Sequence, residues 1–388
     1  MTFTTTLVTV DECVSSYTVL LKSSVIKSIV ESSKLVICKK PTHSVLGFIK
    51  LSSIDNQLKV TTTDMSTYID VSVDSEIIGE FQDTLVKFKS LELLAKSLKV
   101  NKKNNPVVAF VFINNECNAI VESGIAYKIE RLAVAEFPNL PDIKLTESFT
   151  TNSATLNTIN SKIEFCAAKD KTRQVLTGIH ITNKNTVIEA AATDGHRLGK
   201  VIIDNNEYNA GSNLEFTIQA TVFQIANKLL SGVVTIGGED EDYIALADSM
   251  TKITTRLLRG QYPAYNQLIP VYDSPSRTQI IFNKDDILNT LNAARKETKV
   301  TFNIKDSVAE LEVSNMYGNT DTVFTNSITC NSNIEFEIAF NTSYIKEAIQ
   351  SITDTKVNIS CLTNNNLAAV LIVEGQSTQL LMPMQLKK

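Results

Sequence analysis

The stretches VLGFIKLSSIDNQLKVTTTD (45–64) and VLTGIHITNKNTVIEAAATD (175–194) share one layout, and this repetition decides the fold. Each begins with an apolar run around a glycine, passes through a polar turn containing asparagine, and continues into a second run that ends in Thr-Asp. The final residues, Asp64 and Asp194, are 130 residues apart. A fainter copy, VTFNIKDSVAELEVSN, occupies 300–315. A period of this length indicates tandem copies of one folding unit.

Two further markers recur with nearly the same spacing. One is a short strand that leads into an amphipathic helix. Its copies are FKSLELLAKSL (88–98), IQATVFQIANKLL (218–230) and FNTSYIKEAIQSI (340–352). The other is a proline segment near the end of each copy, at Pro138, Pro263 and Pro383. We therefore predict three domains, at residues 1–146, 147–275 and 276–388.

Each predicted domain also has a helical pattern near its start, and the rest of each domain alternates apolar and polar residues as antiparallel strands do. The first helices are expected at 17–33, 152–167 and 284–297. For the second helices, the expected N-caps are Ser90, Thr221 and Asn341 or Thr342. The prediction is an α+β fold made of three tandem copies, each with two helices and antiparallel sheets.

Composition excludes several classes of protein. The chain is 43% hydrophobic and 20% charged, as soluble globular proteins are, and no apolar run approaches the length of a membrane span. The first residues lack the features of a signal peptide, so a cytoplasmic location is expected. Six cysteines without a CxxC and three histidines without clustering indicate reduced thiols and no metal site. No nucleotide-binding or hydrolase motif is present, so neither a cofactor nor a catalytic group is expected.

The net charge of −5 is unevenly distributed. The six helix-bearing segments are basic and the strands and turns are acidic, which favours helices that face a polyanion. The alternative is that surface helices are simply rich in lysine. A basic loop follows the first helix of every copy, and no aromatic base-reading motif accompanies it. We therefore expect contact with phosphates and no reading of sequence. The loop residues are Lys39, Lys40, Lys169, Lys171, Arg173, Arg295, Lys296 and Lys299.

The segments ATDGHRL (192–198), QYPAYNQLIP (261–270) and LMPMQL (381–386) resemble signature segments of the bacterial sliding clamp, the beta subunit of DNA polymerase III. The threefold repeat extends this resemblance over the whole chain. In that family, three similar domains per chain associate head to tail with a second chain, and the closed ring has helices inside and sheets outside. The resemblance implies a homodimeric processivity factor that encircles double-stranded DNA. It also implies that the ring tethers the DNA polymerase III catalytic subunit, the clamp loader and repair proteins.

Residue matching to this family implies a pocket for a short peptide of apolar residues and glutamine. Methionines and leucines would form its adaptable floor, and His196 and Arg197 would form a polar edge. The matched pocket residues are Leu176, Thr193, Gly195, His196, Arg197, Leu198, Pro263, Leu268, Asn341, Tyr344, Met382, Pro383 and Met384.

The chain departs from the family pattern at several positions. Gln267 and Gln385 stand where many members have basic residues, so we expect a less basic rim on the pocket. Asp170 aligns with a glutamine that contacts DNA, which shifts the expected contact to its basic neighbours. Lys387 and Lys388 extend past the usual terminal leucine.

For the dimer seam, the resemblance points to an edge strand of the first domain and the first helix of the third. Tyr127 and Ile129 would then meet Ile287, Leu288 and Leu291 of the other copy. An internal core position is the alternative for the three helix residues.

Within ATDGHRLGK (192–200), Asp-Gly between two apolar runs predicts a tight turn that joins two strands. Two other functions remain open for the chain. One is an enzyme that uses Asp194, His196 and Arg197 as acid–base groups, although the sequence names no nucleophile or metal partner. The other is a three-domain scaffold that does not encircle DNA.

Overall fold

A computed structural model describes residues 16–38, 41, 43–55, 57–101, 104–139, 143–208, 211–238, 240–294, 298–315 and 322–386. The helices of this part of the chain are α1 (Ser23–Ser33), α2 (Phe88–Ser97), α3 (Ser153–Ile163), α4 (Ala220–Leu229), α5 (Lys284–Ala293) and α6 (Thr342–Ser351).

Strands make up most of the remaining regular structure. The strands up to residue 152 are β1 (Ser16–Lys22), β2 (Phe48–Ile54), β3 (Gln57–Thr63), β4 (Thr67–Val73), β5 (Glu76–Ile78), β6 (Thr84–Lys87), β7 (Val107–Ile113), β8 (Glu116–Ile120), β9 (Ala126–Ile129), β10 (Arg131–Leu132) and β11 (Ser148–Asn152). The strands from 178 to 256 are β12 (Gly178–Lys184), β13 (Val187–Thr193), β14 (Arg197–Asp204), β15 (Leu214–Gln219), β16 (Val233–Gly237), β17 (Tyr243–Ala247) and β18 (Thr251–Arg256). Those from 278 onward are β19 (Thr278–Asn283), β20 (Thr298–Lys305), β21 (Val308–Asn315), β22 (Thr322–Thr329), β23 (Phe336–Asn341), β24 (Lys356–Cys361), β25 (Val370–Glu374) and β26 (Ser377–Leu381).

The chain forms two compact units. The first comprises residues 1–146 and 234–256, and its strands lie in two antiparallel sheets. One sheet has the order β5-β1-β7-β8-β9, and the other runs β10-β6-β2-β3-β4-β18-β17-β16. In the second of these sheets, β4 of the first repeat pairs with β18 of the second repeat, from Thr67↔Thr255 to Val71↔Thr251. The first unit therefore includes three strands of the predicted second domain.

The second unit comprises residues 147–233 and 257–388. Its larger sheet has the order β15-β12-β13-β14-β26-β25-β24-β19, and its smaller sheet runs β22-β21-β20-β23. Strand β14 of the second repeat pairs with β26 of the third, from Arg197↔Leu381 to Val201↔Ser377. Sheets thus cross both predicted domain borders. The α+β class with antiparallel sheets agrees with the sequence, and the division into three domains stays a prediction.

The helices pack in sequential pairs: α1 with α2, α3 with α4, and α5 with α6. In the last pair, Ile287 and Leu291 of α5 and Ile345 of α6 are completely buried against a core that contains Phe302 and Phe340. Full burial of a side chain of this size stabilises the fold by about 1.5–3 kcal/mol. The apolar spacing that predicted these helices is therefore the spacing of the core-facing side chains.

The predicted start of the first helix at 17 is wrong. Residues 16–22 form β1, in which Tyr17, Val19 and Leu21 are buried and their neighbours are not. This alternation has the period of a strand, and it continues directly into the helical period at Ser23.

Two of the predicted N-caps are also wrong. Helices α2 and α4 begin earlier, after Lys87 and Gln219, and neither of these residues caps the helix with its side chain. Asn341 is confirmed, because its side-chain oxygen accepts hydrogen bonds from the backbone N–H groups of Ser343 and Tyr344.

The helices themselves carry little net charge, contrary to expectation. Their lysines number seven and their carboxylates five, the former being Lys27, Lys89, Lys96, Lys162, Lys228, Lys284 and Lys346 and the latter Glu31, Glu92, Asp285, Asp286 and Glu347. The excess of lysine and arginine lies in the segments that flank the helices. Each sequence window contained a helix together with its flanking segments, so the windows could not show which of the two carries the positive charge.

Glu374, at the end of β25, connects the C-terminal ends of two helices. One carboxylate oxygen accepts hydrogen bonds from the backbone N–H groups of Thr353 and Asp354, at 2.7 and 2.8 Å. The other accepts one from the Lys162 ammonium, which also donates to the carbonyl of Ser351 at 2.6 Å. Burial raises the pKa of this carboxyl, but the hydrogen bonds from Lys162 and residues 353–354 outweigh burial and lower the pKa of Glu374 to about 2.

We predict that Glu374→Gln lowers the free energy of unfolding at pH 7 and that the deficit shrinks in acid. A carboxyl with a depressed native pKa stabilises the fold above its unfolded pKa of about 4.5 and ceases to do so as pH falls toward about 2. Urea unfolding at pH 7, 4.5 and 3 measures the difference between the two proteins. The exposed Glu337→Gln is the control, and a deficit that does not change with pH would contradict the assignment.

Candidate functional site

The turn between β13 and β14 is held by two side chains. The Thr193 hydroxyl accepts a hydrogen bond from the Gly195 N–H at 3.1 Å and donates one to the Arg197 carbonyl at 2.6 Å. One Asp194 oxygen accepts from the N–H groups of His196 and Arg197, at 2.9 and 3.1 Å. Gly195 has a φ of 89°, in the region that favours glycine. The predicted tight turn is confirmed, and it places His196 at the tip.

The first repeat contains the same turn with different tip residues. Thr63 accepts from the Met65 N–H at 2.8 Å, and Asp64 accepts from the N–H groups of Ser66 and Thr67 at 2.9 and 2.7 Å. Met65 has a φ of 76°, which is unusual for a residue with a side chain. The Thr-Asp pair therefore sets the turn in both repeats, whether or not glycine follows.

Arg197 is a buried anchor, with 3% of its surface exposed. Its guanidinium donates to Asp194 at 2.9 Å, to Glu347 of α6 at 2.5 Å, and to the carbonyl of Phe165. The ring of Tyr344 lies 4.3 Å from the guanidinium carbon. Burial alone lowers the pKa of Arg197, but the surrounding anions, among them Glu347 and Asp194, outweigh burial and keep this pKa above its usual value. Arg197 was expected to form a polar edge together with His196, and the structure buries its guanidinium among these partners.

His196 remains exposed and brings three parts of the chain together. Its ring stacks on Tyr344 with centroids 6.4 Å apart, and its carbonyl accepts a hydrogen bond from the Met382 N–H at 3.0 Å. The Met384 N–H donates to the carbonyl of Ala339 at 2.7 Å, two residues before the N-cap of α6. The hairpin tip, the start of α6 and residues 382–384 are thus neighbours, as the family resemblance implied.

A buried apolar cluster lies beneath this surface. Leu176 and Leu198 pack in it with Tyr262 and Leu380. The Tyr262 hydroxyl also accepts a hydrogen bond from the Thr193 N–H at 3.1 Å, which ties segment 261–270 to the hairpin. The more exposed apolar members of the predicted pocket are Pro263, Leu268 and Met382, with Leu268 62% and Met382 44% exposed.

Arg173 lies with the predicted pocket, although the sequence assigned it to DNA contact. One of its guanidinium nitrogens is 3.8 Å from the position that a Cβ on Gly195 would occupy. Arg173 is exposed, so it supplies a cation at the hairpin tip where Gln267 and Gln385 do not. The sequence signal for this location was the position of Arg173, three residues before the pocket residue Leu176. We missed it because Arg173 had been assigned to the basic loop.

The other predicted DNA contacts are distributed over several loops. Lys169 and Lys171 are exposed, and Lys299 is half-buried at the start of β20. Asp170 accepts hydrogen bonds from the N–H and hydroxyl of Thr172, so it shapes its own turn. The remaining predicted basic residues, Lys39, Lys40, Arg295 and Lys296, lie outside the described residues, as do Lys387 and Lys388.

Three of the five predicted dimer residues belong to internal cores. Ile129, Ile287 and Leu291 are at most 1% exposed and pack within their own units. The core alternative is correct for Ile287 and Leu291, and Ile129 was wrongly assigned to the seam. Tyr127 and Leu288 are half-buried and keep some surface for a partner.

The geometry does not favour acid–base chemistry at Asp194. One carboxylate oxygen holds two backbone N–H groups and the other holds Arg197, so the side chain acts as a turn cap. Across the described residues, no group of three or more His, Cys, Asp or Glu side chains is arranged to hold a metal ion. In the same residues, no helix is both long and apolar enough to cross a bilayer.

Comparison with known proteins gives a consistent family. A model of the central domain of the DNA polymerase III beta subunit matches residues 150–264. A beta sliding clamp of Synechocystis sp. is 26% identical over 382 residues, covering 90% of this chain and 94% of the relative. The DNA polymerase III beta chain of Streptococcus pneumoniae has a TM-score of 0.83 at 18% identity, covering 96% of this chain and 100% of that one. The sliding clamp of Pseudomonas aeruginosa, solved bound to griselimycin, has the same TM-score, identity and coverage.

We predict that Arg197→Lys lowers the free energy of unfolding by about 2–4 kcal/mol, because one ammonium cannot satisfy two carboxylates and a carbonyl from the position of a planar fork. Urea unfolding at pH 7 measures this change. Lys346→Gln, directly before Glu347 on α6 but outside this cluster, is the matched control. Equal stability of the Arg197 variant and the parent would show that the cluster contributes little.

Proposed function

We propose that this chain, as a member of the bacterial beta sliding clamp family, is a DNA sliding clamp that tethers DNA polymerase and other replication and repair proteins through a peptide pocket around His196. The observation that carries the proposal is the meeting of the hairpin tip, the start of α6 and residues 382–384. Such a surface offers a partner apolar contacts and a few fixed polar groups, as peptide-binding sites do.

The surface suits a short peptide of apolar residues with one amide. Met382 and Leu268 are exposed, and the unbranched side chain of Met382 adapts to apolar side chains of different shape. His196 and Tyr344 provide aromatic faces with polar atoms. Arg173 adds a positive charge at the tip, so we expect an acidic group of the peptide on that side. The DNA polymerase III catalytic subunit and the clamp loader are the expected bearers of such peptides.

Contact with DNA is assigned to the basic loops. Lys169 and Lys171 are exposed and Lys299 is half-buried, and their ammonium groups would attract phosphate without reading bases. A ring of two chains, joined head to tail, then needs no tight grip to remain on duplex DNA, because its closure holds it there. Tyr127 on the edge strand β9 and Leu288 on α5 are the remaining seam candidates. We place this activity in the cytoplasm, without a cofactor and without a chemical step.

Two alternatives are weaker. A scaffold that does not encircle DNA leaves the basic loops without a role. An enzyme centred on Asp194 requires a free carboxylate, and the Arg197 ion pair occupies it.

The topological part of the proposal predicts different release rates from circular and linear DNA. We expect slow loss of the protein from nicked circular DNA after loading, and rapid loss once a restriction enzyme linearises that DNA, because the ring then slides off the ends. Gel filtration of labelled protein on DNA measures both rates. Equal rates would contradict encirclement and favour the scaffold.

The pocket part predicts that His196→Ala and Met382→Ala weaken the binding of a fluorescein-labelled pentapeptide, with Gln first and Leu-Phe last, by about tenfold each. Retention on circular DNA should stay unchanged. Fluorescence anisotropy measures the affinity, and Met250→Ala, an exposed methionine on the turn before β18, is the control. Wild-type affinity in both variants would remove the pocket from this site.

A further inference from the structure

Segment 257–270 runs from β18 to the third repeat, and two buried tyrosines attach it to the sheet of β12, β13 and β14. Tyr262 stacks on His180 with centroids 4.8 Å apart and an angle of 9°. Tyr265, 6% exposed, lies against the same tyrosine at 6.0 Å in an edge-on arrangement. Residues 263–264 and 266–268 are exposed, and Leu268 is 62% exposed. The position of Leu268 therefore depends on what holds Tyr265 and the residue after it.

Four polar side chains form a hydrogen-bonded network at Tyr265 and Asn266. We call them the Glu189 quartet (Glu189, Lys200, Tyr265 and Asn266). The Tyr265 hydroxyl donates to one oxygen of Glu189 at 2.6 Å, and the Asn266 amide donates to the same oxygen at 3.2 Å. Lys200 donates to the other Glu189 oxygen at 2.9 Å and to the Asn266 carbonyl oxygen at 2.7 Å. Glu189 bonds to all three other members, and the Lys200 ammonium also lies 5.9 Å from the centroid of the Tyr265 ring.

The sheet register brings the two charged members together. Lys200 of β14 pairs with Ala191 of β13, so Glu189 is its diagonal neighbour on the same face. Their side chains are 15% and 22% exposed, which strengthens the ion pair relative to one in open water. Sequence analysis passed over both residues, because a Glu and a Lys on adjacent strands look like ordinary solvent-exposed positions.

The protonation states suit these hydrogen bonds. Burial, together with the neighbouring Glu189 carboxylate, holds the pKa of Tyr265 far above its usual value, so the phenol remains a donor. Burial alone raises the pKa of Glu189, but its three hydrogen-bond donors outweigh burial and hold this pKa below its usual value. The quartet is therefore intact at neutral pH.

We propose that the Glu189 quartet positions segment 265–268 for partner binding, so that Leu268 is in place before a peptide arrives. The inference rests on the proposed peptide pocket. If Leu268 is already ordered in the free protein, binding loses less conformational entropy, and the affinity for the peptide is higher. The quartet also neutralises Lys200, so that Arg173 is left as the cation of the pocket rim.

The test uses the full-length protein and the labelled Gln…Leu-Phe pentapeptide. Tyr265→Phe removes the hydroxyl and keeps the ring, and Glu189→Gln removes the charge and keeps the shape. We expect each variant to bind about five- to tenfold more weakly. The double variant should lose less than the product of the two, because both changes break one network. Glu310→Gln, an exposed carboxylate of β21, is the matched control with unchanged affinity.

Hydrogen exchange separates positioning from a general loss of structure. In the free variants, the amides of Gln267 and Leu268 should exchange faster than in the parent, while the melting temperature and the exchange of β13 stay the same. At saturating peptide the exchange rates should converge. Wild-type affinity and exchange in both variants would overturn the inference and leave the pocket intact, as would weaker binding with unchanged exchange at 267–268. Failure of the parent itself to bind the peptide would instead refute the proposed pocket.

Discussion

The antiparallel ladder between β14 and β26 determines the arrangement of the second unit. It begins at Arg197↔Leu381, and a further backbone hydrogen bond joins His196, directly before β14, to Met382, directly after β26. A slip of one residue would exchange the two faces of β26 and move Leu381 out of the core. Register in one sheet therefore decides which side chains meet at the surface assigned to partner binding.

Burial of charge is the second constraint. Arg197 is surrounded by Asp194, Glu347 and a carbonyl, and removing one partner of such a group leaves an uncompensated charge. This arrangement fixes the hairpin against α6 and leaves His196 and Arg173 as the exposed polar side chains at the hairpin tip. Arginine thus has a structural role at position 197 and is exposed at position 173.

Sequence reasoning recovered the repeat, the α+β class and the Thr-Asp turn, because apolar period and turn chemistry are local. It failed where the answer depends on pairing between distant strands. Nothing in the period reveals that β4 joins β18, or that Glu189 faces Tyr265. It also failed at Ile129 and Ile287, since an apolar residue at a helix or strand position looks the same in a core and at a seam. The sequence windows used to sum charge combined helices of low net charge with their basic flanking segments.

The two Thr-Asp turns have a consequence for how the repeats diverged. In both, a hydroxyl and a carboxylate fix the backbone from outside the tip, so the tip side chains have no structural task. One copy carries Met65-Ser66 there and the other carries Gly195-His196. The residues that fix this turn lie outside its tip, so the two copies carry different tip residues on the same hairpin. A duplicated domain of this kind has a ready place in which a new specificity can arise while its copies keep the old shape.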